Sequence, residues 1–417
     1  MERVTIKTER PAYGGVSIGR WNNKIIMVKG ALPGETVEAV IEEERRDYYT
    51  ASVARVSGPS PDRVAPGCIH FGLCGGCSLQ YVSHERQTTL KEEVLQDCLK
   101  RLAKIETRLL PPLALDNSWG YRYRGQFKVS HGKIGFYREK TREAVDIERC
   151  PLMDESVNKF LHETRDLLKK TPDSFTGISE AHISCGNSAL AFLKESSKER
   201  LKTGQGKLAS LFLNAGFAGV FIESRDKKIS RHGAHYTTLP LENLYYTVSP
   251  VSFFQSYWKL NQIVVEHIKG SLQPLVGKRV LDLYSGAGNF SLPLALDAQE
   301  VIAVEENPSA IEDGKRNVQI NGIQNCRFIR SSAEKIDIEE KIHILILDPP
   351  RLGLANRTID RVAAMMPERI VYISCNPSTL ARDLKKLSSQ YDIESVRMID
   401  FFPHTFHIES LVFLRLR

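Results

Sequence analysis

The sequence predicts an α/β chain in three parts: a doubly wound parallel-sheet domain at the end, a central α+β segment, and a small β barrel at the start. Three observations predict it. Over residues 251–417, apolar strand patterns alternate with helical patterns, which places helices on both faces of a parallel sheet. Over residues 1–58, short β-rich runs are separated by glycine turns. A length of 417 residues also exceeds what one ordinary core organises. The expected divisions are 1–58, 59–250 and 251–417.

In the first part, the runs Arg3–Ile6, Lys24–Val28, Thr36–Val40 and Val53–Val56 lie between turns at Gly14-Gly15, Gly30–Gly34 and Gly58-Pro59. That rhythm predicts a five-stranded barrel. In the central part, a helix is expected over Glu85–Leu102, strands through Ile134–Arg138, and a loop over Leu201–Lys207. Cations and rings interleave over Trp119–Lys128, which reads either as an RNA-facing sheet or as an ordinary half-exposed strand. The last part closes on two strands, Glu394–Ile399 and Ser410–Leu416.

Hydrophobic residues make up 42% of the chain and charged residues 26%, the balance of a soluble globular protein. No apolar stretch reaches membrane-spanning length, and Met1–Thr5 lacks a signal-peptide core, so the expectation is a cytoplasmic protein with no membrane partner. The net charge is +7, and the excess sits in residues 61–250, where Lys and Arg outnumber Asp and Glu by 28 to 22. A mild basic bias is compatible with a phosphate-rich partner.

The chemistry concentrates where strands stop. Lys278–Phe290 is a strand running into a glycine turn, with Gly286 and Gly288, and then a helix. Ser291 stands where the dinucleotide fingerprint has its third glycine, which argues against NAD. The next strand pattern ends in Glu305, an acid placed to accept from ribose hydroxyls. Asp348-Pro349-Pro350 ends another strand, Cys375 follows the run Ile370–Ile373, and Glu409 precedes the final strand. A uracil C5 carbon is barely nucleophilic. A thiolate adding at C6 makes C5 enolate-like, and a base must later remove the C5 proton so that the thiolate leaves. Cys375, Glu409 and the site around Gly286 supply nucleophile, base and methyl-donor site.

The segment Asp282–Gly288, with the acid at the next strand end, resembles motifs I and II of class I S-adenosylmethionine methyltransferases. Arg351 follows Asp348-Pro349-Pro350, where amino-methyltransferases carry an aromatic residue, and such enzymes need no thiol. Phe253–Ser256, Ser374–Asp383 and Phe402–Glu409 resemble the RNA 5-methyluridine methyltransferases, and Lys29–Glu35 resembles the TRAM domain, an OB-like module. By that resemblance Cys375 is the nucleophile and Glu409 the proton-abstracting base. Gln255, Tyr284, Asn289, Glu305 and Asp348 then match positions that hold S-adenosylmethionine or adjoin it. Ser332 falls where some relatives use Asn for the adenine end, and Phe406 stands where the motif commonly has Gly.

Eight cysteines are present. Cys68, Cys74 and Cys77 are clustered, and Cys150 follows in a distant Cys-Pro pair. Four thiolates suit a [4Fe–4S] cluster or tetrahedral zinc. The spacing resembles the cluster motif of the ribosomal-RNA branch of the family, which implies the cluster. Cys98, Cys185 and Cys326 read as packing residues. The resemblance therefore implies a monomeric, S-adenosylmethionine-dependent uracil-C5 methyltransferase acting on 23S rRNA. The alternatives are the same reaction on tRNA and a non-catalytic RNA-binding or assembly factor.

Overall fold

The computed structural model describes residues 2–417. The first part is a curled sheet of β1 (Arg3–Lys7), β2 (Arg10–Ala12), β3 (Val16–Trp21), β4 (Lys24–Lys29), β5 (Thr36–Glu44) and β6 (Tyr48–Gly58), in the order β1-β5-β6-β4-β3-β2. It has six strands rather than the expected five, because Arg10–Ala12 pairs with the start of β3 as a short extra strand. Alternate residues such as Val4, Ile6, Ile26, Val28, Val37 and Ala39 fill its own small core.

The central part opens with α1 (His84–Cys98), which continues through a π turn at Leu99–Ala103, matching the expected helix to within a residue or two. Next come β7 (Arg124–Ser130), β8 (Lys133–Tyr137), β9 (Ala144–Asp146), α2 (Glu155–Lys170), β10 (Ile178–Cys185), β11 (Ala189–Glu195), α3 (Gln205–Asn214), β12 (Gly219–Glu223) and β13 (Ile229–Gly233). The strands form one sheet in the order β13-β12-β11-β10-β7-β8-β9, and β14 (Thr237–Leu241) pairs with β15 (Leu244–Val248) as a hairpin. The loop expected over Leu201–Lys207 ends early, because α3 begins at Gln205 behind Gly204.

The segment Trp119–Lys128 is two-sided: Trp119, Gly120, Arg122, Tyr123 and Lys128 are half-buried and Gln126 is exposed, while the other residues turn to the core. Tyr121 and Phe127 are buried, and both belong to the core. The Arg124 guanidinium is buried as well, donating to the carbonyls of Ser252 at 2.7 Å and Pro250 at 3.3 Å. Strand alternation aims Phe127 inward, and backbone carbonyls satisfy Arg124.

The last part contains α4 (Trp258–Ser271), β16 (Arg279–Leu283), α5 (Ser291–Ala295), β17 (Glu300–Glu305), α6 (Pro308–Ile320), β18 (Cys326–Arg330), β19 (Ile344–Leu347), α7 (Asn356–Met365), β20 (Arg369–Ser374), α8 (Pro377–Leu387), β21 (Tyr391–Ile399) and β22 (Glu409–Leu416). The sheet order is β18-β17-β16-β19-β20-β22-β21, with β22 antiparallel between β20 and β21. Strand residues such as Val280 and Leu281 pack alternately into two different clusters, so both faces are buried. One of those clusters runs without a break into the central sheet. Among the described residues no helix is long and apolar enough to cross a membrane.

Candidate active site

The strand order reverses between β16 and β19, and in open α/β sheets ligands bind outside the carboxyl strand ends at that point. A cleft of about 1010 Å³ opens there. Gln255, Tyr284, Gly286, Glu305, Ser332, Asp348, Cys375 and Glu409 all line it.

At the donor end, β16 runs into a tight turn. Tyr284 has φ +64° and Gly288 has φ +97°. A Cβ at Gly288 would meet Leu292 and Phe328 at 3.0 Å, so this position requires glycine. Glu305, at the end of β17, ties the turn down. Its carboxylate accepts from the Gly286 amide at 3.0 Å and the Asn307 amide at 2.7 Å. Lone pairs remain on both oxygens for hydroxyl donors. Ser291 is buried and donates its hydroxyl to Asp282, so the residue that breaks the dinucleotide fingerprint holds the buried carboxyl behind the turn. Burial pushes Asp282 up to about 7.

Asn289 alone of the expected cofactor residues does not line the cleft. Its amide exchanges two hydrogen bonds with Asn261 of α4, at 2.7 and 3.0 Å. It braces the glycine turn from behind, because the chain has already turned toward α5 at this point.

At the reaction end, β20 and β22 are antiparallel with Ser374 opposite Ser410. Cys375 follows Ser374 and Glu409 precedes Ser410, so both adjoin that last pair, and both line the cleft. Asp348 ends β19 beside them, since β19 and β20 are parallel neighbours. Asn376 then caps α8, accepting from the Ser378 amide at 3.0 Å, which fixes the chain just after the thiol.

Burial pushes the Cys375 thiol up to about 11, with Glu409 and Asp348 adding to the shift and Arg351 opposing it. Burial also raises Glu409 well above the usual carboxylate range, Asp348 again adding and Arg351 opposing. Asp348 is raised to about 7 by burial. Burial thus raises both groups, and Arg351 is the nearby cation that favours ionisation of either. Sequence reasoning used Arg351 only as a departure from another motif, and its place in the cleft shows what it contributes. His407 lines the same cleft and is held down to about 4 by burial and by Arg351, so it is neutral.

Phe406 packs its ring edge-on against Tyr13 of the barrel, with centroids 5.9 Å apart. Where the motif commonly has Gly, this chain places a ring that docks the β2–β3 turn against the loop before Glu409.

The other four cysteines meet elsewhere. Cys68, Cys74, Cys77 and Cys150 line one cavity of about 60 Å³. Gly75 donates to the Tyr137 carbonyl at 2.9 Å, and Cys150 is held by Asn158 at 2.9 Å. Burial raises the thiols of Cys74 to about 11 and Cys77 to about 12, with neighbouring cysteines adding to both. Among the described residues no three His, Cys, Asp or Glu side chains close up around a single metal ion. Cys98, Cys185 and Cys326 are buried, as expected of packing residues.

Residues 83–417 match the family described as tRNA (Uracil-5-)-methyltransferase. The chain belongs to this family. It is an RNA uracil-C5 methyltransferase dependent on S-adenosylmethionine. A 23S rRNA (uracil(1939)-C(5))-methyltransferase from Alkalilimnicola ehrlichii is 33% identical over 96% of this chain and 94% of that protein. An uncharacterized RNA methyltransferase from Aquifex aeolicus is also 33% identical, over 99% of both chains. A solved structure, the Pyrococcus abyssi tRNA (uracil-54, C5)-methyltransferase in complex with S-adenosyl-L-homocysteine, is similar at a TM-score of 0.77 and 26% identity, covering 98% of this chain and 100% of that one.

Proposed function

We propose that this chain methylates C5 of a uridine in 23S rRNA through a covalent adduct between the Cys375 sulfur and C6. Cys375 and Glu409 adjoin the last residue pair between β20 and β22 and line the same cleft as Gly286 and Glu305, which carries this reading. S-adenosylmethionine supplies a sulfonium methyl. Cys375 loses its proton to solvent and adds as thiolate to C6, and the resulting C5 carbanion-like centre takes that methyl, with S-adenosylhomocysteine as the leaving group. Once C5 carries both methyl and hydrogen, the Glu409 carboxylate takes the proton. The C5–C6 double bond re-forms and Cys375 departs as thiolate. Arg351, and the positive charge of a donor seated near Asp348, both favour the ionised forms these steps need. The uracil reaches Cys375 only after leaving its stack, so base flipping is part of the reading.

Gln255, Tyr284, Gly286, Glu305, Ser332 and Asp348 are assigned to the donor, and Asn289 to bracing its turn. The 23S rRNA assignment rests on full-length relatives of 30–33% identity that carry that name. The tRNA reading is favoured by the similar solved structure. Methyl incorporation from labelled donor into 23S rRNA and tRNA transcripts separates the two. Label in 23S rRNA and none in tRNA is expected, and the reverse overturns the assignment.

Cys68, Cys74, Cys77 and Cys150 are proposed to hold a [4Fe–4S] cluster. The all-thiol donor set around one cavity fits it, and a polynuclear cluster keeps its ligands wider apart than a single ion does. Anaerobic purification with iron and sulfide analysis tests this, and zinc without iron contradicts it. The barrel is assigned to RNA binding in the manner of a TRAM domain, and the protein to the cytoplasm as a monomer.

A further inference from the structure

The segment that carries Glu409 leaves β21 at Ile399 and turns sharply at Phe402–His404, where His404 has φ +65°. Three successive carbonyls of that turn are each captured from outside the C-terminal sheet. Lys91 of α1 donates to Phe402 O at 2.9 Å. The Tyr121 hydroxyl donates to Pro403 O at 3.1 Å. The amides of Ser78 and Leu79 both donate to His404 O at 3.0 Å. His404 is further fixed by Gln87, which accepts from its amide at 2.7 Å, and by stacking on Trp119 at 3.9 Å.

Two of these three donor groups adjoin the four-cysteine cradle. Ser78 directly follows Cys77. Tyr121 is locked by backbone bonds to Leu152, two residues past Cys150: its own amide and that of Arg122 donate to the Leu152 carbonyl at 3.0 and 2.9 Å. The Tyr121 ring is 2% exposed. Both groups thus end on the same turn, five residues before Glu409. None of the donor atoms lies in the cleft.

We infer that the cysteine cradle is the mechanical support of the catalytic base, with Tyr121 and the Ser78–Leu79 amides as positioning groups that hold Glu409 against Cys375. This rests on the reading of Glu409 as the base. A turn gripped at three carbonyls is over-determined, and proton abstraction from a tetrahedral carbon is intolerant of small displacements. Adduct formation and methyl transfer precede that step, so loosening the turn slows release more than capture.

Tyr121→Phe keeps the buried ring and removes one donor. Its kcat is expected to fall by about tenfold, with KM for S-adenosylmethionine unchanged and a denaturation-resistant protein–RNA adduct building up on ordinary uridine RNA. Glu409→Gln is run beside it. If Glu409→Gln builds up no adduct, the base assignment fails and the support inference falls with it. If Glu409→Gln builds up adduct while Tyr121→Phe does not, the support inference is overturned on its own. A second measurement reads the cradle directly: hydrogen exchange at residues 402–408 in Cys150→Ser, without RNA, is expected to be faster than in wild type. Unchanged exchange there contradicts the cradle's part.

Discussion

Cys375 and Glu409 share one cause of their shifts, since burial raises both and Arg351 opposes it in each. That has a measurable sign. With the thiol pushed up to about 11, working pH lies below its pKa, and the thiolate fraction climbs with pH. The rate of covalent capture of 5-fluorouridine RNA is therefore expected to rise about tenfold per unit between about pH 7 and about pH 9. A flat profile over that window contradicts the assignment of cause. That both line one cleft was legible in the sequence only from their occurring together beyond one cofactor fold, since a lone strand-end thiol is usually a packing residue and a lone acid there is usually solvated. The places of Asn289 and Tyr121 were not legible. Whether a side chain after a glycine turn faces the ligand or the helix behind it depends on φ values that composition does not encode. Rings among cations look the same whether they face RNA or a core.

The element that matters most is the connection from β21 to β22. It carries Glu409, and its anchor is the buried pair of Lys91 and Asp400, 2.6 Å apart with side chains 2% and 1% exposed. His84 shares Asp400 at 3.1 Å. Removing one member of such a pair strands the other charge. Lys91→Met is expected to destabilise the protein by about 3–5 kcal/mol in denaturant titration, and adding Asp400→Asn is expected to recover part of the loss. A loss under about 1 kcal/mol in the single variant contradicts a buried-pair role. Helix α1 was legible from its pattern, whereas its task of holding the catalytic loop from some 310 residues away in sequence was not. Such pairing depends on tertiary approach, and no local period reports it.

Over the whole molecule, the doubly wound sheet was the most legible part, since its strands are continuous apolar runs punctuated by glycine and acid. The sixth barrel strand and the shared core between central and C-terminal sheets were not, because short edge pairings and inter-sheet packing leave no periodic trace. Tyr13 of the barrel packs on Phe406, three residues before Glu409, so the first part of the chain touches the segment that leads into the cleft. A ligand seated there stabilises the fold by mass action. S-adenosylhomocysteine at about 100 times its Kd is expected to add about 2.7 kcal/mol, seen as a concentration-dependent rise in Tm, and Glu305→Ala is expected to abolish that rise at the same concentration. A full rise in the variant contradicts the donor assignment of Glu305. The central claim, that Cys375 attacks C6 of a uracil in RNA, is tested most directly by trapping. With S-adenosylmethionine and RNA carrying 5-fluorouridine at the target, wild-type protein is expected to form an adduct that survives denaturing electrophoresis, and Cys375→Ala none. An adduct of equal yield in Cys375→Ala contradicts the account.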